Sequence, residues 1–114
     1  MIELPQSYKI YEYFMNDYEW LYLVNETHVS VYDILNKKMR NTIESKFDHP
    51  ITSFRVDESD SLAIASNQFG DYLFISFNHV LLSVRNTSYT YATFCSSEYV
   101  VIGNDRLFQV MRVN

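Results

Sequence analysis

The segment HPITSFRVDESDSLAIASNQFGDYLFISF, from His49 to Phe77, contains three short runs of β-forming residues separated by two polar stretches. Ile51–Val56 alternates apolar and polar residues, Leu62–Ser66 is compact and apolar, and Tyr72–Phe77 is aromatic and β-branched. Asp, Glu, Asn, Ser and Gly fill the stretches between them. Runs of this length, bounded by turn-forming residues, predict an antiparallel meander.

The rest of the chain aligns with this segment through Phe14, Phe54 and Phe94, which lie 40 residues apart. Each phenylalanine is followed by a short acidic or polar turn and then by an apolar run, beginning at Trp20, Leu62 and Tyr99 respectively. A period of this length is typical of four-stranded propeller blades. The chain therefore contains three repeats, at approximately residues 7–46, 47–86 and 87–114.

The repeats predict the strands outside the central segment. The first repeat gives Tyr8–Phe14, Trp20–Val24, His28–Asp33 and Met39–Glu44, the second adds Val80–Val84, and the third gives Tyr89–Phe94, Tyr99–Ile102 and Leu107–Val113. The third repeat has no fourth strand. We expect Asp33 to anchor the turn that follows it through side-chain to backbone hydrogen bonds. The sequence also allows one short helix or helical turn near Ile34–Arg40, where good helix formers occur.

The central segment resembles a WD40-type repeat. His49 stands at the histidine of the loop before the innermost strand, Ile51 and Phe54 fit the first strand, and the second strand ends at Ser66. Gln68 stands near a structural Asp of the family and Ile75-Ser76 replaces Trp-Asp, so we expect the hydrogen-bonded tetrad of many such blades to be absent. The resemblance implies a single all-β domain over residues 1–114, with antiparallel four-stranded meanders arranged as a partial WD40-like β-propeller. A small β-sandwich or barrel is the alternative.

Three blades leave the sheets at both ends of the row without a neighbour. Closed propellers have four to eight blades, and monomers rarely expose apolar patches as large as a blade face. We expect these faces to be covered by another chain, by a second copy or by further sequence. Met1–Leu4 is a candidate for the missing outer strand, with Pro5 ending it at a sheet edge where proline is tolerated.

Composition narrows the classes of function. A chain of 114 residues with 47% hydrophobic residues suits one folded domain. A net charge of −5 argues against a nucleic-acid platform, which needs a basic face. Cys95 is the only cysteine and follows Phe94, so we expect a buried, inert thiol in a reducing compartment. The N-terminus lacks the pattern of a signal peptide and no apolar run could span a membrane, which predicts an intracellular protein, cytoplasmic or nuclear.

Catalytic and ligand-binding motifs are not found in the sequence. His28, His49 and His79 are not spaced as metal ligands, and Cys-x-x-Cys, Gly-x-Ser-x-Gly and glycine-rich phosphate loops are missing. We therefore expect no catalytic residues, no cofactor and no metal, and a protein that is not an enzyme.

The predicted function is a non-enzymatic scaffold for protein–protein interactions. In the resembling family, partners usually dock on the loops around the central channel, which correspond here to Asn25, His28, His49, Asn67, Asp71, Asn104 and Asp105. The alternative is a small all-β protein that binds nucleic acid or a ribonucleoprotein. Its basic loop would contain Lys37, Lys38 and Arg40, with help from Arg55, Arg85 and Arg106.

Overall fold

Eleven β-strands and no helix form within the part of the chain that the computed structural model describes, which comprises residues 9–14, 20–57, 62–76, 79–96 and 98–113. The strands pair in three antiparallel sheets, each a meander of consecutive strands. Sheet I contains β1 (Lys9–Phe14), β2 (Trp20–Val24), β3 (His28–Asp33) and β4 (Lys38–Glu44). Sheet II contains β5 (Ser53–Asp57), β6 (Leu62–Ser66), β7 (Tyr72–Ser76) and β8 (His79–Val84). Sheet III contains β9 (Tyr91–Phe94), β10 (Tyr99–Gly103) and β11 (Phe108–Arg112).

The predicted fold class is confirmed: the protein is all-β, with antiparallel meanders placed side by side like the blades of a propeller. β1 lies against β5, and β9 lies against β6, so the sheets follow one another in space as they do in sequence. The described strands do not form the alternative sandwich or barrel, because they divide into three separate sheets. Met1–Leu4, the candidate outer strand, lies outside the described residues.

Side-chain acceptors make the turns, as the shortage of glycine requires. Asn25 Oδ1 accepts hydrogen bonds from the backbone N–H groups of Thr27 and His28, at 2.9 and 2.7 Å. Asp33 Oδ1 accepts one from the backbone N–H of Asn36 at 3.1 Å, which confirms the predicted anchor. Short polar side chains favour turns because they imitate backbone acceptors in this way.

A short helix or helical turn was expected near Ile34–Arg40, and the structure forms a turn there but no helix. Residues 34–37 make a turn, and β4 begins at Lys38. Lys37 has a φ of 53°, a left-handed conformation that ends any helical run. Pairing of β4 with β3 therefore outweighs the helical propensity of these residues.

Sheets I and II enclose the larger core. Alternate side chains of a strand point to opposite faces, so every second residue of each strand faces the core between the two sheets. The buried members are Tyr22, Val24, Val29, Val31 and Ile43 from sheet I, and Phe54, Ala63, Ala65, Leu73 and Ile75 from sheet II. The rings of Tyr22 and Phe54 meet edge to face with centroids 5.2 Å apart.

Sheets II and III enclose a second core, made by the opposite face of sheet II. Its buried members are Ile64, Tyr72, Phe74, Ala92, Val100 and Ile102. Phe74 is fully buried, and its ring meets that of Phe94 edge to face at 5.6 Å. Sheet II thus carries apolar side chains on both faces and is covered on both.

The repeated phenylalanines mark the first strand of each sheet but different positions along it. Phe14 pairs with Trp20 and Phe94 with Val100, near the start of the second strand. Phe54 pairs with Ala65, three rungs further from the turn. Phe54 nevertheless faces the preceding sheet, as Phe94 does, so the period of 40 residues preserves the packing direction.

Cys95 is exposed in the turn after β9, so the expectation of a buried thiol was wrong. The apolar run on which that expectation rested ends at Phe94, the last residue of the strand.

Replacement of Phe74 by alanine is expected to destabilise the protein by about 3–5 kcal/mol, because it leaves a cavity between sheets II and III. Leu35→Ala is the control, since Leu35 is 60% exposed in the β3–β4 turn, and we expect it to stay within about 0.5 kcal/mol of the wild type. Urea unfolding followed by circular dichroism measures both. Equal unfolding midpoints for the two variants would contradict the two-layer core.

Candidate functional site

Turns and linkers from all three sheets meet along one edge, which we call the loop face. It comprises the turns at residues 25–27, 67–71 and 104–107 and the linkers at residues 45–52 and 85–90. Backbone hydrogen bonds join the first turn to the first linker, from Ser45 N to Thr27 O at 2.9 Å and from Ile51 N to Glu26 O at 2.8 Å. The predicted docking loops therefore lie on one continuous surface.

A buried pair of side chains, Asn67 and Asp71, organises the middle of the loop face. Asn67 Nδ2 donates to Asp71 Oδ2 at 2.9 Å and to the backbone oxygen of His49 at 3.3 Å. Asn67 Oδ1 accepts from the backbone N–H of Phe69 at 2.9 Å. Asp71 Oδ1 accepts from the backbone N–H of Asn86 at 2.7 Å. Two side chains thus connect the β6–β7 turn to both linkers.

Gly70 brings the same turn against the second linker. Its φ is +78°, and a Cβ placed there would lie 2.0 Å from the backbone oxygen of Thr87. Thr87 in turn donates to the Gly70 oxygen through its backbone N–H at 3.1 Å and its hydroxyl at 2.7 Å. Only glycine combines this backbone conformation with this close approach.

The predicted docking residues have different surroundings on the loop face. Asn67 and Asp71 are 8% and 1% exposed, so their side chains build the surface and do not present themselves to a partner. His49 is exposed and stacks on Phe69, with ring centroids 3.6 Å apart. Asn104 Oδ1 accepts from the backbone of its own turn, while Asp105 is exposed.

Asn25 likewise holds its own turn, and His28 is half-buried beside it. His28 Nδ1 lies 2.6 Å from Thr27 Oγ1, which orients the imidazole. Five of the seven predicted residues thus have their side-chain polar atoms engaged in local hydrogen bonds, and His49 and Asp105 are the exposed exceptions.

The sequence comparison placed the structural carboxylate near Gln68, but Gln68 is exposed and the buried carboxylate is Asp71. The exposed aromatic Phe69 was also overlooked. The sequence did indicate that Phe69 is exposed, because an aromatic residue in a turn with Asn, Gln and Gly does not belong to a strand that could bury it. The pairing of Asn67 with Asp71 depends on the turn geometry and has no comparable signal.

Lys37, Lys38 and Arg40 of the alternative basic loop lie together in one turn and the start of β4, and the three arginines expected to help them lie elsewhere. Lys37 and Lys38 are exposed, but Arg40 Nε donates to Asp33 Oδ2 at 3.0 Å and its guanidinium lies 6.0 Å from the centre of the Trp20 ring. Arg55 donates to the backbone oxygen of Ala92, between sheets II and III. Arg85 and Arg106, the other two arginines of the predicted patch, lie on the loop face. The Lys37–Arg40 turn lies at the opposite end of β3 and β4. The arginines expected to help the basic loop are thus dispersed.

Asp33 holds the turn at this opposite edge. Asn36 Nδ2 donates to Asp33 Oδ2 at 2.7 Å, and this bond, with the backbone of Asn36 and the charge of Arg40, holds the pKa of Asp33 below its ordinary value of 3.8. Hydrogen bonds to the charged form of a carboxyl group stabilise it.

Sheet III has a second apolar face, which we call the open face. The ladder pairs Val101 with Val110 and with Thr93, and Gly103 with Phe108 and with Tyr91, so these side chains share one side of the sheet. The aromatic and large aliphatic members at its rim and free edge are exposed: Phe108 by 71%, Tyr91 by 55%, Val110 by 54% and Tyr99 by 38%.

The corresponding faces of sheets I and II are covered by the next sheet in the row. Val29 and Val31 of β3 are fully buried against sheet II, and Phe74 of β7 is fully buried against sheet III. Phe108 and Val110 occupy the same positions in the third strand of sheet III. The open face is therefore built like a buried interface, and no described sheet lies over it.

The other end of the row is not open, which corrects the expectation that both end sheets expose an apolar face. Leu23, Ser30 and Tyr32 point away from sheet II, yet they are 3%, 0% and 6% exposed. The asymmetry leaves sheet III as the open end.

Among the described residues, no three His, Cys, Asp or Glu side chains come together as a metal site would require. No helix within the described ranges is long and apolar enough to cross a membrane.

Comparison with known proteins identifies a similar solved structure. No family model matches the sequence, and no curated protein sequence matches it. Kluyveromyces lactis Hsv2, a WD40 β-propeller protein, is similar in structure with a TM-score of 0.48 and 15% sequence identity. The similarity covers 95% of this chain and 34% of Hsv2, so the chain spans about a third of that protein. No function is transferred from Hsv2 at this level of similarity.

Replacement of Asp71 by alanine is expected to cost about 2 kcal/mol of unfolding free energy, because it removes the acceptor of the Asn86 N–H and leaves the Asn67 amide with only the His49 oxygen. Gln68→Ala, in the same turn but exposed, is expected to change the unfolding free energy by less than about 0.5 kcal/mol. Urea unfolding measures both, and hydrogen exchange at the Asn86 amide should accelerate only in Asp71→Ala. A wild-type exchange rate at Asn86 in that variant would show that the bond does not hold the linker.

The lowered pKa of Asp33 predicts a dependence of stability on pH. The stability that this carboxylate contributes is present above the ordinary value of 3.8 and is lost as the pH falls below it, through the lowered pKa of the folded state. As the pH falls from about 6 to about 2.5, the wild type should therefore lose more stability than Asp33→Asn.

Urea midpoints at several pH values measure this difference, with Asp105→Asn as the control because Asp105 is exposed in a turn. Parallel curves for the wild type and Asp33→Asn would contradict a role for the charge of Asp33.

Proposed function

We propose that this chain is a non-enzymatic scaffold for protein–protein interactions, a part of a WD40-like β-propeller that further polypeptide completes. The observation that carries the proposal is the open face of sheet III. Phe108 and Val110 stand where the other sheets have buried core residues, and they are exposed.

The size of the open face supports this role. Taking about 200 Å² for a whole aromatic side chain, Phe108, Tyr91 and Tyr99 alone expose roughly 300 Å². That reaches the lower end of the range of about 300–600 Å² for the largest apolar patch on a typical monomer, before the other apolar residues of the face are added. Burying it would contribute about 7 kcal/mol before the cost of association, at about 25 cal/mol per Å². The covering polypeptide is another chain, a second copy or further sequence of the same protein.

The hydrogen bonds of the polar side chains indicate that they hold the loop face in shape. Asn67, Asp71 and Thr87 form hydrogen bonds with backbone groups of neighbouring loops, and each bond joins two segments of the chain. Such groups fix the shape of a surface. On that surface, the stacked rings of His49 and Phe69, together with Asp105, form the second candidate docking area of the scaffold.

A reducing, intracellular setting is proposed for the scaffold. Cys95 is a free thiol on the surface, which is compatible with the cytoplasm or the nucleus. The dispersed arginines give no support to a nucleic-acid partner, so the proposed partner is a protein.

The double variant Phe108→Ser, Val110→Thr is expected to abolish association, because it removes the exposed apolar side chains while preserving the strand. The wild-type chain should associate with itself or with its partner as concentration rises, and the variant should stay monomeric. Light scattering over a range of concentrations measures the mass of each.

Leu35→Ser is the control, since Leu35 is 60% exposed in the β3–β4 turn, away from the open face. It should associate as the wild type does. A wild-type chain that stays monomeric, unfolds cooperatively and binds nothing through this face would refute the scaffold.

A further inference from the structure

β11 is a central strand without its second neighbour. It is the third strand of its sheet, as β3 and β7 are in theirs, and both of those are paired on each side. β11 pairs with β10 alone among the described strands. Its outer row of backbone N–H and C=O groups is therefore available for pairing.

The outer strand of sheet I is protected by charged side chains, whereas β8 of sheet II and the first part of β11 carry no Asp, Glu, Lys or Arg. β4 carries exposed charges along its length, at Lys38, Arg40 and Glu44. Charges of this kind discourage pairing of an edge with another strand. The first three residues of β11, Phe108 to Val110, are uncharged and exposed. This edge has the composition of one that is normally covered.

The fourth strands of sheets I and II share one register, including its irregularity. β4 pairs with β3 antiparallel, with a bulge opposite the step from Val31 to Tyr32. β8 pairs with β7 in the same way, with a bulge opposite the step from Phe74 to Ile75. The equivalent step in β11 runs from Val110 to Met111.

This shared register specifies the strand that fits β11. Ile43 lies opposite Val29, and Val84 lies opposite Tyr72, which gives an apolar residue opposite Phe108. At the next rung on this face, Leu82 lies opposite Phe74 in sheet II and Asn41 lies opposite Val31 in sheet I, so the apolar residue chosen opposite Val110 follows sheet II.

The last rung between the third and fourth strands involves charged residues in sheet I, where it pairs Asp33 with Lys38, two opposite charges. In β11 the corresponding residue is Arg112, which is exposed, and no described carboxylate forms an ion pair with it. The complementary residue at this rung is therefore an aspartate or a glutamate.

We propose that an extended segment of a partner polypeptide adds to β11 as an antiparallel fourth strand, with apolar residues opposite Phe108 and Val110 and an acidic residue opposite Arg112. The inference rests on the proposed scaffold function and specifies its partner. Backbone hydrogen bonds supply the affinity in this mode of recognition, and alternate side chains supply the specificity.

A second copy of the chain fits this edge less well. Antiparallel pairing of β11 with another β11, centred on Val110, would place Arg112 opposite Phe108 and would leave the arginine without a carboxylate. The charge on the edge thus favours a different polypeptide.

The chain itself provides a probe, because β8 is one of its own fourth strands. A synthetic peptide of residues 79–86 carrying His79→Glu has the required pattern, since position 79 occupies the last rung. The same peptide with Leu82→Pro is the matched control, because proline lacks the N–H donor and disrupts a strand. The 114-residue chain, labelled for NMR, is titrated with each peptide.

The expected result is that saturating peptide slows hydrogen exchange at the outward-pointing amides of β11 by about tenfold or more, while the proline peptide does not. Arg112→Glu should weaken binding of the Glu peptide by about two- to fivefold, the effect of an exposed ion pair. A peptide with His79→Lys should restore binding to that variant.

Unchanged exchange in β11 at saturating peptide would overturn strand addition. If Phe108→Ser, Val110→Thr still abolishes association in that case, the scaffold survives and a whole sheet covers the open face. If the double variant also associates normally, both proposals fail. Protection of β11 amides without peptide, in a chain that light scattering finds dimeric, would identify a second copy as the occupant and overturn the separate partner.

Discussion

The sheets of this protein carry apolar side chains on both faces, and such a sheet must be covered on both sides. Sheet II meets the requirement inside the chain, with Ala63 and Leu73 facing sheet I and Ile64 and Phe74 facing sheet III. Stacking of consecutive meanders follows directly, because each sheet buries its second face only against the next one. At sheet III the same rule produces the open face, where Phe108 is left exposed.

The loop face keeps the sheets in order. Hydrogen bonds between the connecting loops add to the packing of the cores and join neighbouring sheets at this edge. Asp71 accepts a backbone N–H from the linker that leads into sheet III, while Asn67 donates to the linker that comes from sheet I. The polar residues that resembled a binding surface in the sequence therefore contribute to its rigidity, and exposed groups such as Phe69 and His49 form its outer surface.

Local rules were sufficient for most of the fold. Asp33 was predicted to anchor a turn because its side chain imitates a backbone acceptor, and it does so. Prediction failed where a distant contact outweighed local preference. Good helix formers occur near residues 34–40, yet residues 34–37 form a turn and pairing of β4 with β3 extends the chain from Lys38. Gln68 matched a family position in spacing, but the turn at Gly70 directs Asp71 inward, and spacing alone does not reveal that.

The sequence by itself determined the strands, their order and the direction in which the repeats pack, because alternation and turn residues act over a few neighbouring positions. The tertiary structure decided which apolar faces are covered. Tyr32 and Phe108 are both large residues on third strands, and nothing in their local sequence separates them. One is 6% exposed and the other 71%. The difference depends on what lies across each sheet, and burial is a property of surroundings that only the folded chain assembles.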